Sequence, residues 1–457
     1  VYDTGLWKPE GGGAVVLKTS ERTGGDSEAI RELDRAWDVF RSEGCKDSIT
    51  LRGAKVLGDL TRRRRFKSAA AERRFREKEE RIRTAVALGV PDRVPVITNG
   101  MTLYPAFYSG VSFADFIMDR KKCGEAFLKF ARENTDFDAI FPAHMNNHGR
   151  LVRLSQLDIL KLPGVHIDED VCFQFVEKER LKAEEYPLFI EEKYDFFRRV
   201  IVPRMTPLYH PRKGWDKKVL LKMARELLSF TLFYNRMLNV VEYEYGVPVL
   251  TAAMSFEPYD LTTLLFRGLT EISGDLYRRP EMVEEVTEML APVCIMALEN
   301  MALGTGLRGA VILCERSFSL SPKQFARFSL PTLKRVVDAV IARGMVPMIT
   351  LEGDCTHLFE YMLEFPPARC VCNIDTGDIF KAKKILQGHM CVAGNVPMNL
   401  MVAGTPDDIR EYCRRLIEEV APGGGYILSG ALGIPDNARH ENVRTMVEYV
   451  LEHGAYL

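Results

Sequence analysis

The chain contains no CxxC pair, no uninterrupted apolar run of about 18 residues and almost no net charge. Each absence removes a class of function. Sixty-two basic residues against sixty-three acidic ones give a formal charge of -1, so no global field draws the protein to nucleic acid or to an anionic membrane. Ten cysteines spread over 457 residues, without closely spaced sets, read as reduced thiols rather than a disulfide framework. The pair in "CVC", Cys370 and Cys372, shares one face of a strand-like run, yet no third soft ligand lies near it in sequence. With no apolar leader or span, the expectation is a cytoplasmic protein with neither membrane nor nucleic-acid partners.

What is present is ordinary globular material, 46% hydrophobic and 27% charged, enough for one barrel-sized domain and an appendage. Residues 1–80 read as an N-terminal arm and helical extension, Gly-rich at first and then amphipathic. Ile30, Leu33, Trp37 and Phe40 fall on one stripe. The run Arg62 to Arg65 is followed by glutamates, which suits a solvated helix face or a dimer contact better than a nucleic-acid patch.

From residue 81 to 457 the texture changes. Short apolar runs at 94–98, 138–143, 247–254, 310–314, 345–351, 368–374, 391–396 and 425–430 alternate with helix-length amphipathic stretches. Thr405, Pro406 and Asp408 form a helix start of the capping-box type. Such alternation predicts an α/β (β/α)8 TIM barrel, with the charged interval 150–245 as a large insertion over the barrel mouth. A doubly wound sheet is the alternative, but no GxGxxG follows the first strand.

In a parallel barrel the strand ends form one rim, and the last residues of each apolar run should meet there. "DAIFPAHMNNHG" supplies His144, Asn146 and His148, as substrate contacts or as loop caps. "LTAAMSFEPYD" supplies Glu257 and Tyr259. "AVILCERS" supplies Glu315, which has Arg316 beside it as an ordinary ion-pair partner. "ITLEGDCTH" supplies Glu352 and Cys355, "VCNIDTGD" Asp375, and "AGNVP" Asn395. Converging carboxylates must be relieved by raised pKa values, basic partners or a cation. Glu352, Glu257 and Cys355 are the candidate ligands of such a cation, and His357 reads as structural.

Four stretches, "ERIRTAVALGVPDRVPV", "SLSPKQFARFSLPTLKRVVDAV", "GNVPMNLMVAGTPDDIREYCRRLIE" and "GGGYILSGALGIPDNARHENVRTMVEYV", resemble the uroporphyrinogen decarboxylase superfamily from about residue 80 onward. The superfamily includes zinc-dependent methyltransferases that exchange methyl groups with corrinoid proteins. The resemblance implies the same barrel. Its decarboxylase grips substrate carboxylates with arginines after the first strand, and "ITNGMTLYPAFYSG" has none. Its thiol methyltransferases hold zinc with a His-x-Cys and a later Cys; here those positions are Thr350, Glu352 and Leu432.

The expectation is therefore transfer of a methyl group from a small methylated compound, such as an aryl methyl ether, to a corrinoid supplied by a separate protein. Glu352, Glu315 and Asp375 would carry the chemistry. Tyr104, Phe107, His144, Asn146, His148, Glu257, Tyr259 and Asn395 would line the substrate, and zinc would sit on a non-standard ligand set. A decarboxylase or lyase acting on a small carboxylic acid is the alternative.

Overall fold

The structure, a computed structural model, describes residues 65–99, 103–141, 145–301 and 308–456. Six parallel strands form one sheet: β1 (Thr251–Phe256), β2 (Gly309–Cys314), β3 (Val346–Leu351), β4 (Val371–Ile374), β5 (Cys391–Val396) and β6 (Tyr426–Gly430). They pair in sequence order, with helices such as Leu330–Ala342 and Pro406–Arg415 in the crossovers. Each crossover returns the chain to the same end of the sheet, as parallel pairing requires.

Two further extended segments close the sheet on itself. Val96 bridges Leu428 of β6, and Ile97 bridges Ala139, both in parallel. The Leu428 N–H donates to the Pro95 carbonyl at 2.8 Å, and the Asp138 N–H to the Val96 carbonyl at 2.7 Å. The Ile140 N–H reaches the Pro248 carbonyl, just before β1, at 3.0 Å. All eight apolar runs read from the sequence are thus staves of one closed (β/α)8 barrel.

Side chains alternate across the barrel wall with period two. Ile97, Ala139, Val311, Met348, Val371, Cys391, Ala393 and Ile427 pack against one another inside. Ile82, Ala85 and Val86 of the helix Ala69–Val86 join that inner cluster and plug the N-terminal end. Ser68 caps this helix through its side chain, and Glu72 lies in the first turn, where the helix dipole favours a negative charge. The boundary expected at residue 80 falls inside it, and residues 1–64 of the expected extension lie outside the described residues.

Ile312, Cys314, Ile349, Leu351, Cys372 and Ile374 face the other way, into the larger cluster beneath the surrounding helices. Cys370 and Cys372 are both fully buried, Cys372 in that outer layer, as core thiols. The N-terminal rim is tied by Asp138, fully buried, which accepts from Arg81, from both terminal nitrogens of Arg93 and from the Val96 N–H.

The interval 150–245 is mostly irregular and helical, with two-residue ladders at Leu160–Lys161 with Gln174–Phe175 and at Tyr209–His210 with Gly214–Trp215, then the long helix Lys217–Val240. Part of it reaches the C-terminal rim: the Phe175 ring lies 5.7 Å from that of Phe256 at the end of β1. Among the described residues no helix is long and apolar enough to cross a membrane.

Candidate active site

Strand register decides which rim residues meet. Leu313 of β2 pairs with Thr350 of β3, and Thr350 with Asn373 of β4. Two residues further along each strand, on the same inward side, stand Glu315, Glu352 and Asp375. Three carboxyl groups therefore occupy one layer at the C-terminal mouth, on adjacent strands spaced about 4.8 Å apart.

Their electrostatics follow from that crowding. Burial, then the charges of Glu315 and Asp375, push the Glu352 carboxyl up to about 8, against a smaller opposing pull from Arg316. Glu315 and Asp375 are also raised, chiefly by burial. Arg316 relieves Glu315 from 3.6 Å, and its Nε donates to Glu177 of the insertion at 3.0 Å. Burial and the neighbouring acids thus favour the protonated form of Glu352 at the C-terminal rim of the barrel.

Local structure holds the layer in place. Gly353 adopts φ +72, a region where a side chain is strained, and its N–H donates to Asp375 Oδ2 at 2.9 Å. A Cβ at Gly353 would come within about 3.0 Å of the Phe318 ring, which is exposed. Behind the sheet, Asp260 accepts the N–H groups of Glu315 and Arg316, the second at 3.1 Å, and so fixes the turn after β2.

Several sequence candidates lie elsewhere. Glu257 follows Phe256, which pairs with Leu313, so it carries the outward parity of Cys314. It is fully buried, caps the helix Pro258–Thr262 by accepting from the Tyr259 N–H, and accepts from Ser329 Oγ at 3.1 Å. Burial raises its carboxyl as well. Tyr259 is buried outside the barrel, and Tyr104 is buried with its hydroxyl 3.0 Å from His440 Nδ1. Neither ring covers the mouth. Asn395 is spent internally: its Nδ2 donates to the carbonyls of Asp375 and Gly377 at 3.1 and 3.0 Å, and its Oδ1 accepts from Tyr412.

Cys355 is buried, donates its thiol to the Glu352 carbonyl at 3.3 Å, and has its pKa pushed up to about 12 by burial. His357 lies 2.9 Å from the Leu320 carbonyl through Nε2. His144 falls outside the described residues; Asn146 and His148 lie in the helix Met145–Ser155, their side chains outside the description. Among the described residues no three His, Cys, Asp or Glu side chains are placed to hold a metal ion.

Phe107 is exposed and lines a cavity of about 950 Å³ on the part of the rim formed after the first strand, β5 and β6. Val111, Phe113, Met398, Leu432 and Ile434 give it an apolar wall, with Asp170, Asp436 and Cys172 as polar points and, among the described residues, no lysine or arginine. The three acids of β2 to β4 are not in its lining. They stand at another part of the same rim. Arg316 pairs with Glu315 as the sequence suggested, while the support that Asp260 gives to the turn and the place of Asp436 in the cavity were not read from the sequence. The signal in the sequence was their position, four and six residues beyond a strand end.

Comparisons with known proteins agree with this architecture. The uroporphyrinogen decarboxylase (URO-D) family model matches residues 223–453. The chain is 25% identical to a uroporphyrinogen decarboxylase of Chlorobium phaeobacteroides over 186 residues, 39% of this chain and 51% of that protein. It is 27% identical to one of Anaeromyxobacter dehalogenans over 189 residues, 41% of this chain and 53% of that protein. The chain spans about half the length of these curated relatives. A solved methyltransferase from Methanosarcina mazei superposes with a TM-score of 0.56 at 14% identity, covering 82% of this chain and 98% of that one, a likeness of fold.

Proposed function

Starting from the fact that this chain belongs to the uroporphyrinogen decarboxylase family, we propose that it is a methyltransferase. It would take a methyl group from a small methylated compound, an aryl methyl ether being the type that fits, and pass it to a reduced corrinoid carried by a separate protein. The observation that carries the reading is the layer of Glu315, Glu352 and Asp375 on adjacent strands, in which burial and the neighbouring acids raise the Glu352 carboxyl to about 8.

Breaking an ether carbon–oxygen bond leaves a basic oxygen, with a conjugate acid of pKa about 10 for a phenol. Displacement is slow unless that charge is met as it develops. Glu352 donates its proton to the departing oxygen; the methyl carbon leaves oxygen and bonds to cobalt(I), whose electron pair forms the new bond. The products are the free hydroxyl compound, a methylated corrinoid and the Glu352 carboxylate, which then recovers a proton from water. Burial, with Glu315 and Asp375, keeps the proton on Glu352 before the reaction, and Arg316 is near enough to ease the carboxylate afterwards.

The decarboxylase alternative needs a grip for substrate carboxylates. Among the described residues the cavity lining offers no basic side chain, and Arg316 is committed to Glu177 and Glu315. Single-turnover methyl transfer from methoxybenzenes to reduced corrinoid, with wild type and Glu352→Gln, tests the proposal. The reading requires transfer by wild type and a loss of about 10²–10⁴ in the variant; equal rates remove Glu352 from the chemistry.

A further inference from the structure

We propose that, whatever reaction the barrel mouth performs, the outer face of the long helix Lys217–Val240 is the docking surface for a segment of this same chain, residues 26–43.

The helix is two-sided. Phe230, Tyr234, Met237 and Leu238 bury its inner side, where its one acid, Glu226, pairs with Arg120 and Arg150. On the outer side Leu221, Leu228 and Leu232 follow the helical repeat and share one stripe. Leu221 is 72% exposed and Leu228 42%, while Leu232 is half-buried. Lys217, Lys218, Lys222 and Arg225 stand exposed where that stripe begins. Single leucines scattered on a surface need no explanation, but an apolar stripe along three turns of one helix is a face suited to being covered.

Charge selects the occupant. Two copies of a basic face repel one another, whereas an acidic amphipathic segment complements it. Residues 26–43, which lie outside the described residues, carry six acidic side chains against three arginines, and their apolar stripe is Ile30, Leu33, Trp37 and Phe40.

The chain path agrees. The Lys67 N–H donates to the Tyr243 carbonyl at 2.8 Å, and the Phe66 ring lies 5.0 Å from that of Tyr243, in the turn Val241–Tyr245 that continues the helix. The connection toward residues 26–43 therefore departs from the C-terminal end of the helix they would cover. From Tyr243 back to Leu221 is about 33 Å along the helix axis, and the connecting residues 44–64 can span about twice that when extended. Such a tether holds the segment at an effective concentration on the order of millimolar, which a separate acidic partner would have to exceed.

The test uses the full chain. Carbodiimide couples carboxylates directly to amines in contact, so peptides from 26–43 should be recovered joined to Lys217, Lys218 or Lys222. In a mixture of isotope-labelled and unlabelled protein, both halves of each joined pair should come from one copy. Amide exchange across 26–43 should be at least tenfold slower in wild type than in Leu221→Asp with Leu228→Asp, a variant whose changes fall on exposed positions. Trp37→Asp, placed in the segment instead of the helix, should give the same faster exchange and the same loss of coupling. Joined pairs of mixed isotope put a second copy on the face and overturn the proposal. Absence of coupling to these lysines overturns it too, as does exchange across 26–43 that is equal in wild type and both variants.

Discussion

The N–H of Gly353 donates to Asp375 Oδ2 at 2.9 Å, so the residue after Glu352 is fastened to the residue that ends the neighbouring strand. One hydrogen bond thereby sets the spacing of two carboxyl groups that perturb each other. Gly353→Ala puts a side chain at φ +72 against the Phe318 ring. The left-handed conformation alone costs roughly 1–2 kcal/mol. Thermal unfolding should show that loss, and turnover should fall further than stability does, because Glu352 and Asp375 lose their register.

Stability should fall as pH rises, which is the reverse of a protein held by surface ion pairs. Glu352 has a folded pKa of about 8 against an ordinary value near 4.5, so between those values the folded state holds the extra proton. Its favourable contribution is complete below the unfolded pKa and is lost as pH climbs through about 8. Glu257, Glu315 and Asp375 are shifted in the same direction. Melting temperatures measured from pH 5 to pH 9 should decline, and Glu352→Gln should decline less steeply.

Glu257 should behave as a structural acid. Glu257→Gln keeps an acceptor for Ser329 Oγ and the Tyr259 N–H. Methyl transfer by that variant should stay within a few-fold of wild type. Glu257→Ala removes the cap and leaves buried donors unpaired, at a cost of about 1–3 kcal/mol by denaturant unfolding. A hundredfold activity loss in a stable Glu257→Gln protein would return Glu257 to the site.

Asp138 lies at the opposite end of the barrel and serves as the contrast. It is fully buried and accepts from Arg81, Arg93 and the Val96 N–H. Asp138→Ala strands buried guanidinium charge and should cost about 3–5 kcal/mol. Activity per folded molecule should be unchanged, since nothing in this network touches the C-terminal rim.

The barrel was legible because period-two apolar runs and amphipathic helices are local signals, and eight of them in alternation leave few topologies. Glu315, Glu352 and Asp375 were legible for a related reason: each follows directly on a run of buried strand residues. Which face a rim residue takes was not legible where the strand is irregular. Pairing shifts between Thr251 and Ala253 of β1, and that shift turns Glu257 outward although its neighbourhood reads like that of Glu315. Tyr104 and Tyr259 are aromatic residues near strand ends, but their burial depends on helices that pack over them from distant sequence. The pairing of Glu315 with Arg316 was legible as an adjacent ion pair, but the role of Asp260 was not. The support that Asp260 gives to that turn exists only after folding.

The claim on which the account depends is that Glu352 is uncharged near neutral pH. Infrared difference titration of the carboxylic acid carbonyl band, wild type against Glu352→Gln, measures this directly. The predicted result is a protonated band at pH 7 that disappears with a midpoint near 8 and is absent from the variant. A band lost near the ordinary glutamate range, with Glu352 ionised at pH 7, would contradict it.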